Sequence, residues 1–416
     1  MTESTSVQAA IARVHQAEWA RVVAFLARRF SDLDLAEEMT AEAFAVAVER
    51  WPRDGLPPNP GGWITTTAAR KAMDRVRREA QRRSKYEEAF MLHEDCRDEP
   101  VGAIDDDRLR LLFTCCHPGL AMEARVALTL RMVGGLTVTE IGRAFLVQEP
   151  AMGQRITRAK RKIKAARIPY RVPQSEDLPA RIDGVLTVLY LIFNEGYLAS
   201  GEDSEPIRRD LTAEAIRLTR LVRTLLPHDG EVVGLLALML LTEARAATRL
   251  SVTGELVRLD EQDRGAWDQE LIAEGLDLVR ECLSAVPACR HAAGRYQILA
   301  AINAVHTSVL DARDTDWSQV AALYDQLAEV DPSPVVTLNR AIAMAELDGP
   351  EAALGVVNRL RARLEGYHAF HATRADLLRR LGRSTDARAE YDRAVELARN
   401  SAEVAYLERR RGELAG

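Results

Sequence analysis

Apolar positions along this chain recur at three- and four-residue steps, the spacing that lays one stripe along a helix. In the segment GGLTVTEIGRAFLVQEPAMGQRITRAKRKIKAARIPY, the residues Met152, Ile156, Ala159 and Ile163 form such a stripe. Upstream, Thr137 and Glu140 stand at capping-box spacing, in which hydroxyl and carboxylate each satisfy an orphan backbone donor. They predict a short helix that ends near Leu146. Val147-Gln148-Glu149 then makes a tight turn, and Pro150, whose missing N–H needs no partner in a first turn, opens the next helix. A helix-turn-helix over Thr137 to Lys164 follows, its second helix packing through the apolar stripe and leaving Gln154, Arg155, Arg158 and Lys162 on other faces.

Two longer apolar runs, Val185 to Phe193 and Val232 to Leu241, fall short of the ~18 residues of a membrane span and predict buried helices. Breakers divide the chain. Asp54 to Gly62 (DGLPPNPGG) reads as a loop, His93 to Asp107 as a polar linker, and Ile168 to Pro179 as a proline-punctuated boundary. Near the end, Ala341, Leu347 and Ala353 recur as Ala375, Leu381 and Ala387, each 34 residues later, which is the tetratricopeptide (TPR) period. Stacking needs three or more repeats, so Ile182 to Val330 is expected to supply degenerate helical pairs and no strands.

Composition agrees with an all-α protein: 416 residues, enough for two or three domains, with 47% hydrophobic, 28% charged and 5% aromatic residues. The first residues, MTESTSVQAAIARVHQAEWA, lack the basic start and apolar stretch of an export signal, so a soluble cytoplasmic protein is expected. Cysteines are odd in number, five, with no CxxC pair, which reads as reduced thiols and no metal site. Within Cys115-Cys116-His117, neighbouring side chains on a helix point about 100° apart and are expected to pack rather than share an ion.

The formal net charge of -6 argues against indiscriminate coating of DNA, yet two basic islands stand in this acidic chain. Arg70 to Lys85 holds eight basic residues against two acidic ones, and Arg155 to Arg171 holds eight with none. Such islands attract phosphates by releasing condensed counterions. In a helix-turn-helix the start of the second helix enters the major groove. Gln154, Arg155 and Arg158 are therefore the candidate base readers, Arg suiting guanine and Gln adenine. Lys160, Arg161, Lys162 and Lys164 are the candidate phosphate contacts.

The motif LTVTEIGRAFLVQEPAMGQRITRAKRKIK resembles region 4 of the extracytoplasmic-function (ECF) sigma factors of the sigma-70 family, with Arg155, Arg158, Ala159 and Lys160 in its R-x-x-R-A-(R/K) positions. Ala36 to Pro52, AEEMTAEAFAVAVERWP, resembles regions 2.1 to 2.2 through Glu37, Glu38, Glu42, Phe44 and Trp51, with Ala41 where many members carry Gln. GGWITTTAARKAMDRVRRE resembles regions 2.3 and 2.4 through Trp63, Ala68, Asp74, Arg77 and Arg78, with Arg70 in place of the usual Asn. The segments YLIFNEGY, LTAEAIRL, DEQDRGAWD, AAINAVH and VVTLNRAIA extend the likeness to the ECF group with a TPR-like C-terminal extension.

This resemblance implies a region 2 helical bundle over 8–92, a linker over 93–107, a region 4 helix-turn-helix over 108–168, a second linker over 169–181 and a TPR-like regulatory domain over 182–416. It implies core RNA polymerase as partner, the beta-prime coiled coil meeting Glu37, Glu38, Glu42 and Phe44 and the beta flap also contacted. Promoter DNA is the other implied partner: the minus-ten element at Trp63, Arg70, Lys71, Asp74, Arg77 and Arg78, the minus-thirty-five element at region 4. No cofactor and no catalytic residue are implied, and an effector or protein is expected on the repeat surface. A stand-alone helix-turn-helix regulator with a sensing repeat domain is the alternative. An acid-base site from Glu195, Asp263, Arg264, His291 and His306 is the enzymatic alternative, disfavoured because carboxylates and arginines in helical repeats more often tie turns together.

Overall fold

The computed structural model describes residues 2–84, 107–145, 147–174, 176–198, 206–285 and 293–415. Among these residues the fold is all-helical, with 19 α-helices, no strand, and one isolated bridge between Leu250 and Leu256. No described helix is long and apolar enough to cross a membrane. The expected linker over 93–107, apart from Asp107, lies outside the described residues, as do Lys85, Cys96, Cys289 and His291. Two compact units divide the chain, Met1–Leu191 and Ile192–Gly416, the division falling within the helix Leu178–Tyr197.

In the first unit α1 (Thr2–Phe30), α2 (Leu33–Asp54) and α3 (Pro60–Ser84) pack pairwise. Alanines let them approach: Ala36, Ala43 and Ala47 of α2 and Ala68 and Ala72 of α3 are buried beside Trp19, Leu26, Met39 and Ile64. Asp32 starts α2, its carboxylate accepting from the N–H groups of Asp34 and Leu35 at 2.9 and 3.0 Å. Pro52 stands inside the last turn of α2. The helix tolerates it because the carbonyl that loses a partner belongs to Val48, on the solvent side with its residue 56% exposed. The connection to α3 is consequently Gly55–Asn59, shorter than the Asp54 to Gly62 loop expected, since Asn59 Oδ1 accepts from the Gly62 N–H at 2.9 Å and draws Gly61 and Gly62 into α3.

The same unit continues with α4 (Asp107–Cys115), α5 (Met122–Thr129), a π-helical turn over Leu130–Gly134, α6 (Val138–Ala144), α7 (Glu149–Ala165) and the part of α8 (Leu178–Tyr197) up to Leu191. α4 and the π-helical turn pack on α1, and α5 and α6 pack on α7. Cys115 and Cys116 are buried, Cys116 Sγ lying 3.4 Å from Thr129 Oγ1. Burial pushes both thiols up, Cys116 to about 11. His117 Nδ1 accepts from the Gly119 N–H at 3.1 Å. The two thiols are packed away, while His117 is half-buried and serves the turn after α4.

In the second unit α10 (Gly230–Glu243) is buried along every residue from Val232 to Thr242, as expected of an all-round apolar helix. It lies against α9 (Arg209–Leu225), α11 (Gln269–Ala285) and α12 (Arg295–Thr307). A Cβ at Gly234 would stand 2.6 Å from the Gln297 backbone nitrogen, so a glycine is what lets α10 and α12 cross this closely. The array continues through α13 (Trp317–Val330), α14 (Pro334–Leu347), α15 (Pro350–Arg359), α16 (Arg361–Leu364), α17 (His368–Arg380), α18 (Ser384–Leu397) and α19 (Ser401–Gly412). The starts of α14 and α17, and of α15 and α18, are each 34 residues apart. Ala341, Ala353, Ala375 and Ala387 are fully buried at the matching helix contacts.

Charge-assisted bonds tie these turns together. Glu390 accepts from Arg374 and from Arg361 at 3.3 Å and meets His371 Nδ1 at 2.7 Å. Asp376 receives Arg379 at 2.8 Å and Arg410 at 3.2 Å, and also Arg258 at 3.4 Å from the segment before α11. With Arg409 reaching Glu255 at 3.3 Å, the end of this unit is fastened to its earlier part.

Candidate nucleic-acid interface

The turn between α6 and α7 is built by the residues the spacing picked out. Glu140 N–H bonds to Thr137 Oγ1 at 3.1 Å while Thr137 N–H bonds to Glu140 Oε2 at 2.7 Å, a reciprocal capping box. α6 ends at Ala144, two residues before the expected Leu146, and α7 opens at Glu149 with Pro150 in its first turn. Thr139 Oγ1 reaches across the turn to Glu149 Oε2 at 2.8 Å. Sequence reasoning missed Gly142. A Cβ there would stand 2.7 Å from the Val147 carbonyl oxygen, so the chain turns this tightly because the helix presents no side chain to it. Gly142→Ala is expected to cost about 1 to 2 kcal/mol of stability through this backbone clash, read as a lowered urea midpoint at unchanged slope. A midpoint equal to the parent's would show that the turn moves aside freely.

The buried residues of α7 are Met152, Ile156, Ala159 and Ile163, the four of the predicted stripe. Of the candidate readers, Gln154 and Arg158 are exposed and Arg155 is half-buried. Arg158 Nε bonds to the Gln154 carbonyl at 3.3 Å. Arg161 and Lys162 are exposed, and Lys164, although 77% exposed in its side chain, touches Asp32 at 3.1 Å. Burial alone would push Asp32 up, but the Leu35 N–H and the Lys164 ammonium outweigh it and hold the carboxyl below its ordinary value.

Lys160 differs from the other cations of α7. Its side chain is only 10% exposed, and its ammonium is bound to Glu37 and, at 2.9 Å, to Asp34, both on α2. Burial acts to lower its pKa; the two carboxylates overcome that and raise it. Glu37 also accepts from Arg131 Nε at 2.6 Å and keeps 14% of its side chain exposed. Lys160 and Glu37, read from sequence as a phosphate contact and a docking residue, are here bound to each other, because the π-helical turn and α7 each bring a cation to one carboxylate.

On α2 and α3 the expected residues form a cross-linked pair of faces. Glu42 receives Lys71 at 2.7 Å, and Glu38, about half-exposed, receives Arg75 at 3.4 Å. Phe44 is 5% exposed and packs on His15 at 4.7 Å between ring centroids and on Trp19 at 6.1 Å. The ring of Phe44, expected among the docking residues, thus holds α2 to α1, beside the exposed acidic face. Arg70, Asp74, Arg77 and Arg78 are exposed along α3, with Arg78 Nε on the Asp74 carbonyl at 3.2 Å. Trp63 is half-buried, edge-on to Trp51 at 5.5 Å, and with Asn59, Gly62, Thr66, Thr67 and Arg70 it lines a shallow recess. One end of α3 thus offers an aromatic wall, hydroxyls and a guanidinium at a single spot.

Two residues of the suggested acid-base site have other duties. Asp263 caps a short turn by accepting from the Gly265 N–H at 3.0 Å, and Arg264 donates to the carbonyls of His306 and Val309 at 2.6 and 3.0 Å. Among the described residues, no group of three or more His, Cys, Asp or Glu is placed to hold a metal ion.

Comparison with known proteins places this geometry. Residues 181–283 match a family of unknown function (DUF6596). The chain is 43% identical over 397 residues to the uncharacterized protein R00370 of Rhizobium meliloti (strain 1021), spanning 94% of this chain and 92% of that protein. It is 31% identical over 153 residues to the ECF RNA polymerase sigma factor SigK of Mycobacterium ulcerans (strain Agy99), spanning 35% of this chain and 78% of that protein. No solved structure matches. The chain therefore belongs, through its N-terminal region, to the ECF RNA polymerase sigma-factor family.

Proposed function

We propose that this protein is an alternative sigma factor that directs core RNA polymerase to a specific set of promoters in the cytoplasm, performing no chemistry of its own. The observation that carries the reading is α7: a helix buried through one four-residue stripe and studded with cations elsewhere, behind a glycine-tightened capped turn. In this reading Gln154, Arg155 and Arg158 read minus-thirty-five bases, and Arg161, Lys162 and Lys164 grip phosphates. Arg70, Lys71, Asp74, Arg77 and Arg78 line the minus-ten strand. Melting needs cations along the backbone and pockets for unstacked bases, and in this reading the recess beside Trp63, lined by Thr66, Thr67 and Arg70, receives one.

Glu38 and Glu42, with the rest of the acidic face of α2, dock on the polymerase beta-prime coiled coil, and region 4 meets the beta flap. Glu37 and Lys160 neutralise each other, so for one to reach polymerase and the other DNA the pair must part. The second unit is a TPR-like regulatory domain; its 34-residue helix spacing and paired buried alanines support that reading.

Run-off transcription with purified core polymerase tests the proposal. The full chain added to core is expected to yield a transcript from its own promoters that core alone does not produce. Tight, specific promoter binding by the chain alone, with no transcript in the presence of core, would overturn it in favour of a stand-alone regulator.

A further inference from the structure

Three arginines of the second unit are buried in one place: Arg245, Arg249 and Arg264 are 8%, 5% and 6% exposed. Arg245 and Arg249 flank the turn after α10, Arg264 lies in the Asp263–Ala266 turn, and α12 and the end of α8 complete the surroundings. None of the three makes an ion pair among the described residues; their bonds run to neutral acceptors. Arg245 donates to Asn303 Oδ1 at 3.2 Å, and Arg264 to the two carbonyls named above. Arg249 donates to the Tyr197 carbonyl and lies over the Tyr197 ring, 3.3 Å from its centroid. Arg264 covers the Trp267 ring at 4.9 Å. The Nε groups of Arg245 and Arg264 are buried and bond to nothing among the described residues.

The positive charges act on one another and on His306. Arg245 opposes the charge of both Arg249 and Arg264. Burial, together with Arg245 and Arg264, holds His306 neutral down to about 4. The carboxylates within reach offset this poorly. Glu243 acts on Arg249, but burial pushes its own pKa up, toward the neutral acid. Asp260 and Asp311 act on Arg264, yet each already holds another arginine, Arg258 at 2.9 Å and Arg313 at 2.6 Å.

A buried guanidinium cannot shed its proton, and each charge without a counter-charge is strongly penalised even after relaxation. Packing alone gives no reason to gather three. The planar N–H forks are the groups that bind phosphate and carboxylate oxygens best, and the free Nε donors are what such oxygens would occupy.

We propose that Arg245, Arg249 and Arg264 form a binding site for a small ligand carrying a phosphate or carboxylate group, drawing together four segments of the second unit. The proposal is independent of the promoter reading, because binding is measured on the full chain without polymerase or DNA. Inorganic phosphate and citrate are titrated separately against chloride at constant ionic strength, with thermal unfolding and calorimetry as readouts. At least one is expected to raise Tm saturably; phosphate alone points to a phosphate-bearing ligand, citrate alone to a carboxylate-bearing one. Arg245→Met is expected to abolish the response while melting no lower than the parent without anion, since a buried charge is removed. Arg249→Lys, which keeps the charge but loses the fork, is expected to bind at least tenfold more weakly, whereas Arg393→Met, at an exposed pair with Glu396, keeps the parent's affinity. No saturable response to either anion, or equal responses in the parent, Arg245→Met and Arg249→Lys, would overturn the proposal.

Discussion

Glu37→Gln is expected to destabilise the N-terminal unit by about 3 kcal/mol, and Lys160→Met placed in the same chain is expected to recover at least about 1 kcal/mol of that loss. The carboxylate lies between two cations that are themselves largely buried, Lys160 with 10% and Arg131 with 15% of the side chain exposed. Gln keeps the shape and one acceptor but removes the charge, leaving the Lys160 ammonium and the Arg131 guanidinium facing each other with only Asp34 to serve Lys160. Removing one partner of a buried pair costs more than the pair is worth, because the survivor stays desolvated. Replacing Lys160 by the similar-sized Met takes away one survivor, so the two substitutions must be non-additive. Denaturant unfolding of the four proteins of the cycle measures it, and losses that add to within about 0.5 kcal/mol would mean that the pair carries no coupling.

This pair also marks where sequence reading runs out. The stripe of Met152, Ile156, Ala159 and Ile163 was legible because periodicity is local: four positions on one helix announce which face is buried. The capping box of Thr137 and Glu140 was legible for the same reason. Lys160 looked like its neighbours Arg161 and Lys162, since nothing within a few residues distinguishes a cation facing DNA from one facing a carboxylate 123 residues away. Gly142 carries its signal in the turn it faces, not in its own helix.

The second unit repeats the lesson. Two 34-residue copies were visible because their buried alanines recur in register. Arg245, Arg249 and Arg264 were not, since they belong to three separate segments and in sequence resemble any basic residues of a helical protein. Of that cluster only Arg264 and His306 drew notice, and as acid-base candidates. Their burial among guanidiniums gives them a different character: His306 is held neutral, and Arg264 is bound to carbonyls.

If α7 reads promoter bases, Arg158→Ala should reduce discrimination between the cognate minus-thirty-five element and a substituted one by roughly 5- to 150-fold, the ~1 to 3 kcal/mol of a bidentate guanine contact. Arg158 is suited to this because it is exposed and spends only Nε, on the Gln154 carbonyl; among the described residues nothing bonds to its terminal nitrogens. Lys162→Ala is the contrasting variant. As a phosphate contact it should weaken binding equally on every sequence and lower the slope of log affinity against log salt by about one. Both are measured as holoenzyme with core polymerase, by competition between the two promoters over a salt series. A loss by Arg158→Ala that is the same on both promoters and reduces the salt slope would make Arg158 a phosphate contact and leave Gln154 and Arg155 to carry the base reading. A loss confined to the cognate element, with the slope unchanged, is the outcome that the exposed, sparsely bonded guanidinium of Arg158 leads us to expect.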